Sequence, residues 1–283
     1  MTDEPASAGR FAGFSLARPL VMGIVNVTPD SFSDGGDRLD PGAAITAGLE
    51  QMAAGADLVD VGGESTRPNA DPVTPEEEQA RVLPVVRGLA RQGVAVSLDS
   101  RHASTMAVAL DAGARLINDV TALTGDPASL ALVAKRRVPV ILMHMQGSPQ
   151  TMQQAPAYAD VVGEVAGYLK ARAEACLAAG VRGADICLDP GIGFGKTQAH
   201  NLALLAGTQR LVALGYPLLV GVSRKSFIGR LAGGVEPKAR FPGSLAAGLA
   251  ALAGGAHILR VHDVAKTCQA LAVWNAIVEG GEG

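Results

Sequence analysis

Polar side chains with chemical potential follow apolar runs at regular intervals along this chain. Asn26 follows the run 20–25, and Glu64, Ser65, Thr66 and Arg67 come soon after 57–61. Asp99 ends 94–98, Asn118 and Asp119 end 115–118, His144 follows 138–143, and Asp189 follows 185–188. Ser223, Arg224 and Lys225 follow 217–222, and Arg260 and His262 end 257–261. Arginine presents a planar fork of donors that suits phosphate or carboxylate, and a lysine supplies a point charge for the same anions. Taken singly, an Asp or Asn after a strand is as readily a helix cap or an Asx turn. A whole series of them, each after an apolar run, points instead to one shared ligand site with an anionic component. No Ser-His-Asp or Cys-His arrangement accompanies them, so nothing indicates a covalent nucleophile.

The apolar runs are the elements that must position these residues. They are rich in Val, Ile and Leu and read as parallel strands covered on both faces. Helical stretches separate them. Asp40-Pro41 places a cap before a proline at the first helical position, and Gly55 closes that helix. Thr74 and Glu77 have the spacing of a capping box, and Gly93 ends the helix that they begin. Asp263 is placed to cap the last helix, where Val264, Cys268, Leu271, Trp274 and Val278 repeat as one buried face. Eight strands each followed by a helical segment predict an α/β protein, a closed (β/α)8 TIM barrel, although an open doubly wound sheet has the same alternation. No linker or low-complexity stretch divides the chain. Residues 1–15 read as an N-terminal extension and 16–283 as a single barrel domain.

The chain has 283 residues, of which 48% are hydrophobic and 18% charged, with a formal net charge of -3. That is enough chain and core for one barrel, and the charge balance speaks against non-specific nucleic-acid binding. The three cysteines form no CxxC pair, which fits reduced thiols in a cytoplasmic protein rather than a disulfide or zinc framework. No signal peptide is visible at Met1 to Arg10. The uncharged run 244–256 is too short and too rich in Ala and Gly to span a membrane.

Three loops carry more detail. Residues 26–36, NVTPDSFSDGG, are polar except for Phe32, which read from the loop alone packs on the barrel. Residues 62–70, GGESTRPNA, combine glycines and hydroxyls with Arg67. Residues 188–197, LDPGIGFGKT, imitate a phosphate loop, but Pro190 stands where that motif requires a glycine. A turn presenting Asp189 over the barrel mouth is the better reading. His144 and His200 read as structural, because no two histidines have metal-ligand spacing.

Read together and in order, NVTPDSFSDGG, GGESTRPNA, SLDS at 97–100, IND at 117–119, LMHMQG at 142–147, LDPGIGFGK, VSRKSFIG at 222–229 and LRVHDV at 259–264 resemble dihydropteroate synthases. The resemblance runs from about residue 16 to 278. One departure is Asn69, where the family usually carries glycine; Asn tolerates the left-handed conformation. The resemblance implies a homodimeric transferase of folate biosynthesis and target of sulfonamides, which joins 6-hydroxymethyl-7,8-dihydropterin diphosphate to 4-aminobenzoate. It implies Asp99, Asn118, Asp189 and Lys225 for the pterin, and Asn26, Arg260 and His262 for the diphosphate. Mg2+ is the implied cofactor, with Asn26 as a ligand. Asp34 is a second participant on the first loop. Phe32, Thr66, Arg67, Pro68, Phe194, Ser223 and Ser226 are implied on the 4-aminobenzoate side, which reverses the loop-only reading of Phe32. The catalytic set carried over is Asn26, Asp34, Arg67, Lys225, Arg260 and His262.

Two other readings compete. A pterin-binding barrel of the corrinoid methyltransferase kind needs no diphosphate site, so Arg260, His262 and the first two loops speak against it. A paralogue that binds pterin without catalysis is separated only by assay.

Overall fold

The structure is a computed structural model and describes residues 9–28, 40–66, 70–278 and 280. Short strands β1 (Arg10–Phe11) and β2 (Phe14–Ser15) form a hairpin. Its turn takes left-handed φ at Ala12 and Gly13, the twist that a two-residue hairpin needs. The other strands are β3 (Leu20–Asn26), β4 (Leu58–Gly62), β5 (Val96–Asp99), β6 (Leu116–Asp119), β7 (Val140–Met143), β8 (Ile186–Asp189), β9 (Leu219–Val220) and β10 (Ile258–Val261). All eight lie in one parallel sheet, in the order β8-β7-β6-β5-β4-β3-β10-β9. A bridge between Leu188 and Leu218, with the Leu188 N–H donating to Pro217 O at 2.9 Å, joins β8 to the start of β9. The circle is thereby completed, as a barrel requires and an open sheet does not.

Helices run between the strands: α1 (Pro41–Ala53), α2 (Pro75–Arg91), α3 (Ala103–Asp111), α4 (Ser129–Arg136), α5 (Val161–Ala178), α6 (Gln198–Ala206), α7 (Thr208–Val212), α8 (Ser226–Leu231), α9 (Phe241–Ala253) and α10 (Val264–Val278). Asp40 caps α1 by accepting from Gly42 N at 2.7 Å. Thr74 accepts from Glu77 N at 3.2 Å, but the reciprocal half of the predicted capping box is absent, because Glu77 reaches along the helix to Arg81. A full capping box forms instead at α6, between Thr197 and His200. Asp263 was expected to cap α10; its carboxylate is engaged by both donor arms of Arg224, at 3.0 Å each.

Each barrel strand buries both faces, yet the faces differ. Leu58, Leu116, Ile141, Cys187, Leu219 and Ile258 point inward and form one cluster with Phe11. Val59, Ile117, Leu142, Leu188, Val220 and Leu259 belong to the larger cluster under the helices. This is strand alternation with period two, hidden in the sequence because both faces are apolar. Phe11, 1% exposed, closes the floor of the barrel from the hairpin. Residues 10–15, read from the sequence as part of an extension, therefore complete the barrel's inner core.

The last helix also departs from expectation. Val264 and Leu271 are buried, but Val278 is 66% exposed, alongside Val273 and Ile277. The predicted buried face holds only through the first half of α10.

Candidate active site

Counting two residues up each strand from the inner apolar layer lands on the polar one. Leu58 leads to Asp60, Leu116 to Asn118, Cys187 to Asp189 and Ile258 to Arg260, with Asp99 ending β5. The same alternation that packs the floor therefore turns these side chains into the lumen near the C-terminal strand ends. Arg260 lies at their centre. Its Nε donates to Asp60 Oδ2 at 2.6 Å and its Nη2 to Asp99 Oδ2 at 2.8 Å. Asn118 Nδ2 donates to the same Asp60 oxygen at 2.9 Å. Asp60 is fully buried, and the sequence reading missed it. It stands inside the run Leu58–Gly62 rather than after it, so a search of strand ends passes over it; its phase with Leu58 is the signal that locates it.

Asp189 sits at the end of β8. Its Oδ1 accepts from Gly191 N at 2.7 Å, the turn expected for 188–197. Gly191 takes φ +66°, and a Cβ there would lie 1.9 Å from His144 O, so only glycine allows the approach. Lys196 folds back beneath this turn. Its Nζ lies 3.0 Å from His144 Nδ1 and donates to His144 O at 3.2 Å and Phe194 O at 2.9 Å. The motif that imitated a phosphate loop thus uses its lysine as an internal strut. His144 is framework as read, and His200 serves the α6 cap.

Lys225 caps the mouth from the β9 side, its Nζ 4.1 Å from the Phe194 ring centroid, a cation–π distance. His262 N–H donates to Ser223 Oγ at 3.1 Å, and His262 Nδ1 lies 3.0 Å from the same oxygen. Arg224, counted in the sequence among the anion-holding cations, is held by Asp263 instead. Ser226 is exposed at the start of α8, within 3.4 Å of Arg230 Nη1. Thr66 is half-buried at the opening of the second loop, and Asn26 ends β3 in register with Gly62. Phe32, Asp34, Arg67, Pro68 and Asn69 lie outside the described residues.

Below the second loop is a brace that the sequence did not suggest. Glu64 takes Arg101 Nε at 2.8 Å and Nη2 at 2.9 Å, and also accepts from Val73 N at 3.2 Å. The carboxylate therefore ties both ends of the loop to the start of α3. Burial alone would raise its pKa, but the Arg101 contacts prevail and hold it below the ordinary range.

The electrostatics are those of a closed polar chamber. Burial pushes Asp99 up to about 8, with Arg260 opposing and Asp60 adding to the rise. Burial brings Lys225 down to about 8, helped by the nearby Arg260 and opposed by Asp189 and Asp99. Asp189 is raised, chiefly by burial. His262 falls to about 3 through burial and the neighbouring arginines Arg224 and Arg260, so it works as a neutral imidazole rather than a cation. The chamber offers acceptors at Asp189 and the unused oxygen of Asn118, a carboxyl at Asp99 that holds its proton near neutral pH, and donors at Lys225 and Arg260. A flat heterocycle with adjacent donor and acceptor edges, carrying an anionic tail, matches that set.

Comparisons agree with this chemistry. The sequence model of a family described as pterin binding enzyme matches residues 22–262. The dihydropteroate synthase of Neisseria meningitidis serogroup C is 53% identical over 273 residues, covering 95% of this chain and 96% of the relative. A structure of Xanthomonas albilineans dihydropteroate synthase with 4-aminobenzoic acid superposes with a TM-score of 0.88 at 50% identity, covering 94% of this chain and 95% of the other. The same enzyme in complex with 7,8-dihydropteroate superposes with a TM-score of 0.86 at 48% identity, again covering 94% and 95%. With its motifs, its barrel and its inner polar layer in agreement, the chain belongs to the pterin-binding enzyme family, among the dihydropteroate synthases.

Proposed function

We propose that the chain joins 6-hydroxymethyl-7,8-dihydropterin diphosphate to 4-aminobenzoate, forming 7,8-dihydropteroate and releasing diphosphate. The observation that carries this reading is the convergence of Asp99, Asn118, Asp189, Lys225 and Arg260 on one barrel mouth, acceptors and donors interleaved. Asp189 accepts together from the adjacent amino and ring N–H groups of the pterin. Lys225 donates to its carbonyl and neighbouring ring nitrogen. Asn118 and Asp99 complete the pterin contacts. Arg260 and His262 hold the diphosphate, Arg260 by charge and His262 as a neutral hydrogen-bonding group.

An aromatic amine is largely neutral at pH 7 and needs no strong base. The demanding event is departure of diphosphate from the pterin methylene carbon, which leaves a cation stabilised by the ring. The amine nitrogen then bonds to that carbon, and a proton leaves the nitrogen. The work of the protein is electrostatic positioning and exclusion of water, which would otherwise trap the cation. Phe32, Thr66, Arg67 and Pro68 on the first two loops, with Phe194, Ser223 and Ser226, enclose the 4-aminobenzoate.

Magnesium suits the donor set. The hard amide oxygen of Asn26 stands at a strand end on this face, and Mg2+ is commonly bound through one or two protein oxygens with water and substrate phosphate. Asn26 would hold it. Bound there, it would neutralise charge on the leaving group. Two further assignments belong to the same reading, a cytoplasmic location and a homodimer. The dimer rests on the exposed apolar half of α10, where Val273 and Ile277 are 60% and 71% exposed. Ile277→Lys should then yield a monomer in sedimentation.

The direct test is to mix purified protein with the pterin diphosphate, 4-aminobenzoate and Mg2+ and to measure dihydropteroate and diphosphate. Folded protein that forms neither defeats the assignment. Binding order sharpens it. 4-Aminobenzoate should bind weakly to free protein and more tightly once diphosphate, Mg2+ and a pterin are present. Arg67→Ala should weaken that second event and spare the first.

A further inference from the structure

Asp60 has no task in the reaction above, yet it is fully buried in the polar layer and one of its oxygens holds two of the groups assigned to substrate. Asn118 reaches it from β6, two strands to one side of β4, and Arg260 reaches it from β10, two strands to the other. A carboxylate inside a barrel carries a large desolvation penalty. A whole buried ion pair can often be replaced by apolar side chains without loss of stability, whereas removing one partner alone leaves the other charge uncompensated. Arg260 already has a second carboxylate, Asp99, at 2.8 Å. Pairing with Arg260 does not by itself explain why the same Asp60 oxygen also accepts from Asn118.

We propose that Asp60 is a positioning residue that aims Asn118 at the pterin and Arg260 at the diphosphate, so that both halves of one substrate are registered against a single carboxylate. This rests on the site assignment given above. The geometry does the aiming. With Nδ2 of Asn118 donating to Asp60, its Oδ1 is the atom turned to accept from a ligand. With Nε and Nη2 of Arg260 given to Asp60 and Asp99, Nη1 remains for an anion. Movement of either partner would cost a hydrogen bond to a charged group in a buried place. Asp60 also acts on its neighbour through charge. Beside burial, the carboxylates of Asp60, Glu78 and Asp119 keep the proton on Asp99, against Arg260, and Lys225 faces the same group.

Asp60→Leu removes acceptor and charge, whereas Asp60→Asn keeps an oxygen for both donors and removes only charge. In Asp60→Leu, binding of a pterin without diphosphate and binding of inorganic diphosphate, each by calorimetry, should both weaken by about tenfold or more, the scale of a hydrogen bond to a charged group. The KM for 4-aminobenzoate should stay near wild type, while the melting temperature falls because Arg260 loses a buried partner. Asp60→Asn should recover most of both affinities. The midpoint near 8 of the pH profile for pterin binding should move to lower pH in that variant, because Asp99 loses a repelling neighbour. Loss of only one of the two affinities overturns the coupling. Loss of every constant, the KM for 4-aminobenzoate included, without rescue by Asp60→Asn, marks a merely structural residue and overturns the proposal. Failure of Asp60→Asn to keep both affinities near wild type overturns it too, and decides the matter even where Asp60→Leu does not fold. Asn118→Ala and Arg260→Ala run in parallel as controls. If they leave both affinities intact, the site assignment is wrong; if they weaken binding and Asp60→Leu does not, only the role of Asp60 is wrong.

Discussion

The lumen of this barrel is two chambers made by one rule. Below, Leu58, Leu116, Cys187, Ile258 and Phe11 fill the floor with apolar volume. Two residues higher on the same strands, Asp60, Asn118, Asp189 and Arg260 line the mouth with charge. The backbone that presents both layers is the same, so the difference lies in what each layer is asked to do. The floor gains from burial and close packing alone. The mouth keeps groups whose burial is unfavourable, and offsets that by tying them to one another until a ligand arrives.

Replacing Arg260 should show the largest separation. Arg260→Met leaves Asp60 and Asp99 without their shared cation, at roughly 3–5 kcal/mol of stability for a broken buried pair. It should also lower turnover about 100- to 1000-fold, the scale of losing a preorganised donor to developing negative charge. Preserved turnover would break the division between layers. On the floor, Phe11→Ala should cost about 3–5 kcal/mol in denaturant unfolding while kcat per folded molecule stays unchanged. A kcat that falls with it would mean that the floor sets the mouth's geometry.

Asp189→Asn should weaken pterin binding by about 1.5–3 kcal/mol by calorimetry, with the melting temperature little altered. Asp99 sharpens the comparison through pH. Its folded pKa is about 8 against an ordinary 3.8. Between those values the folded state keeps a proton that the unfolded state releases. The stability this group contributes is therefore present at low pH and lost as pH rises toward 8. Melting temperature measured across that window should decline less steeply in Asp99→Asn than in wild type, and identical slopes would remove Asp99 as the source. The smallest effect belongs to the brace beneath the second loop. Glu64→Gln should raise the KM for 4-aminobenzoate by roughly three- to tenfold, the worth of an ordinary hydrogen bond, and leave pterin affinity as it was.

Much of this was legible beforehand, and for a physical reason. Apolar runs of strand length, caps such as Asp40 and Thr74, and glycines that end helices are local signals, so the eight barrel strands fall close to where the sequence sets them. Asp99, Asn118, Asp189, Lys225 and Arg260 were legible because they stand at strand ends or follow them, and parallel strands in a barrel bring those ends to one face. Several competitions were not legible. Arg224 reads as an anion ligand until Asp263 takes both its arms, and Asp263 reads as a cap for the same reason. The spacing of 188–197 rules out a phosphate loop but leaves Lys196 without a task until it turns inward against His144. A side chain with several partners of similar affinity is assigned only when tertiary contacts fix the distances.

The sequence by itself determined the alternation of elements and the family resemblance, because periodicity, capping and motif spacing are properties of neighbours along the chain, whereas closure of the barrel rests on the bridge between Leu188 and Leu218. Only the tertiary structure decided which face of each strand enters the lumen. A strand buried on both sides carries no polar alternation from which to read its phase, and the phase appears once Phe11 and the inner layer pack together. That phase is what turns Asp60 from one acid in a valine-rich strand into the group that holds Asn118 and Arg260 at once. Partners separated by 58 and 200 residues meet through barrel closure alone.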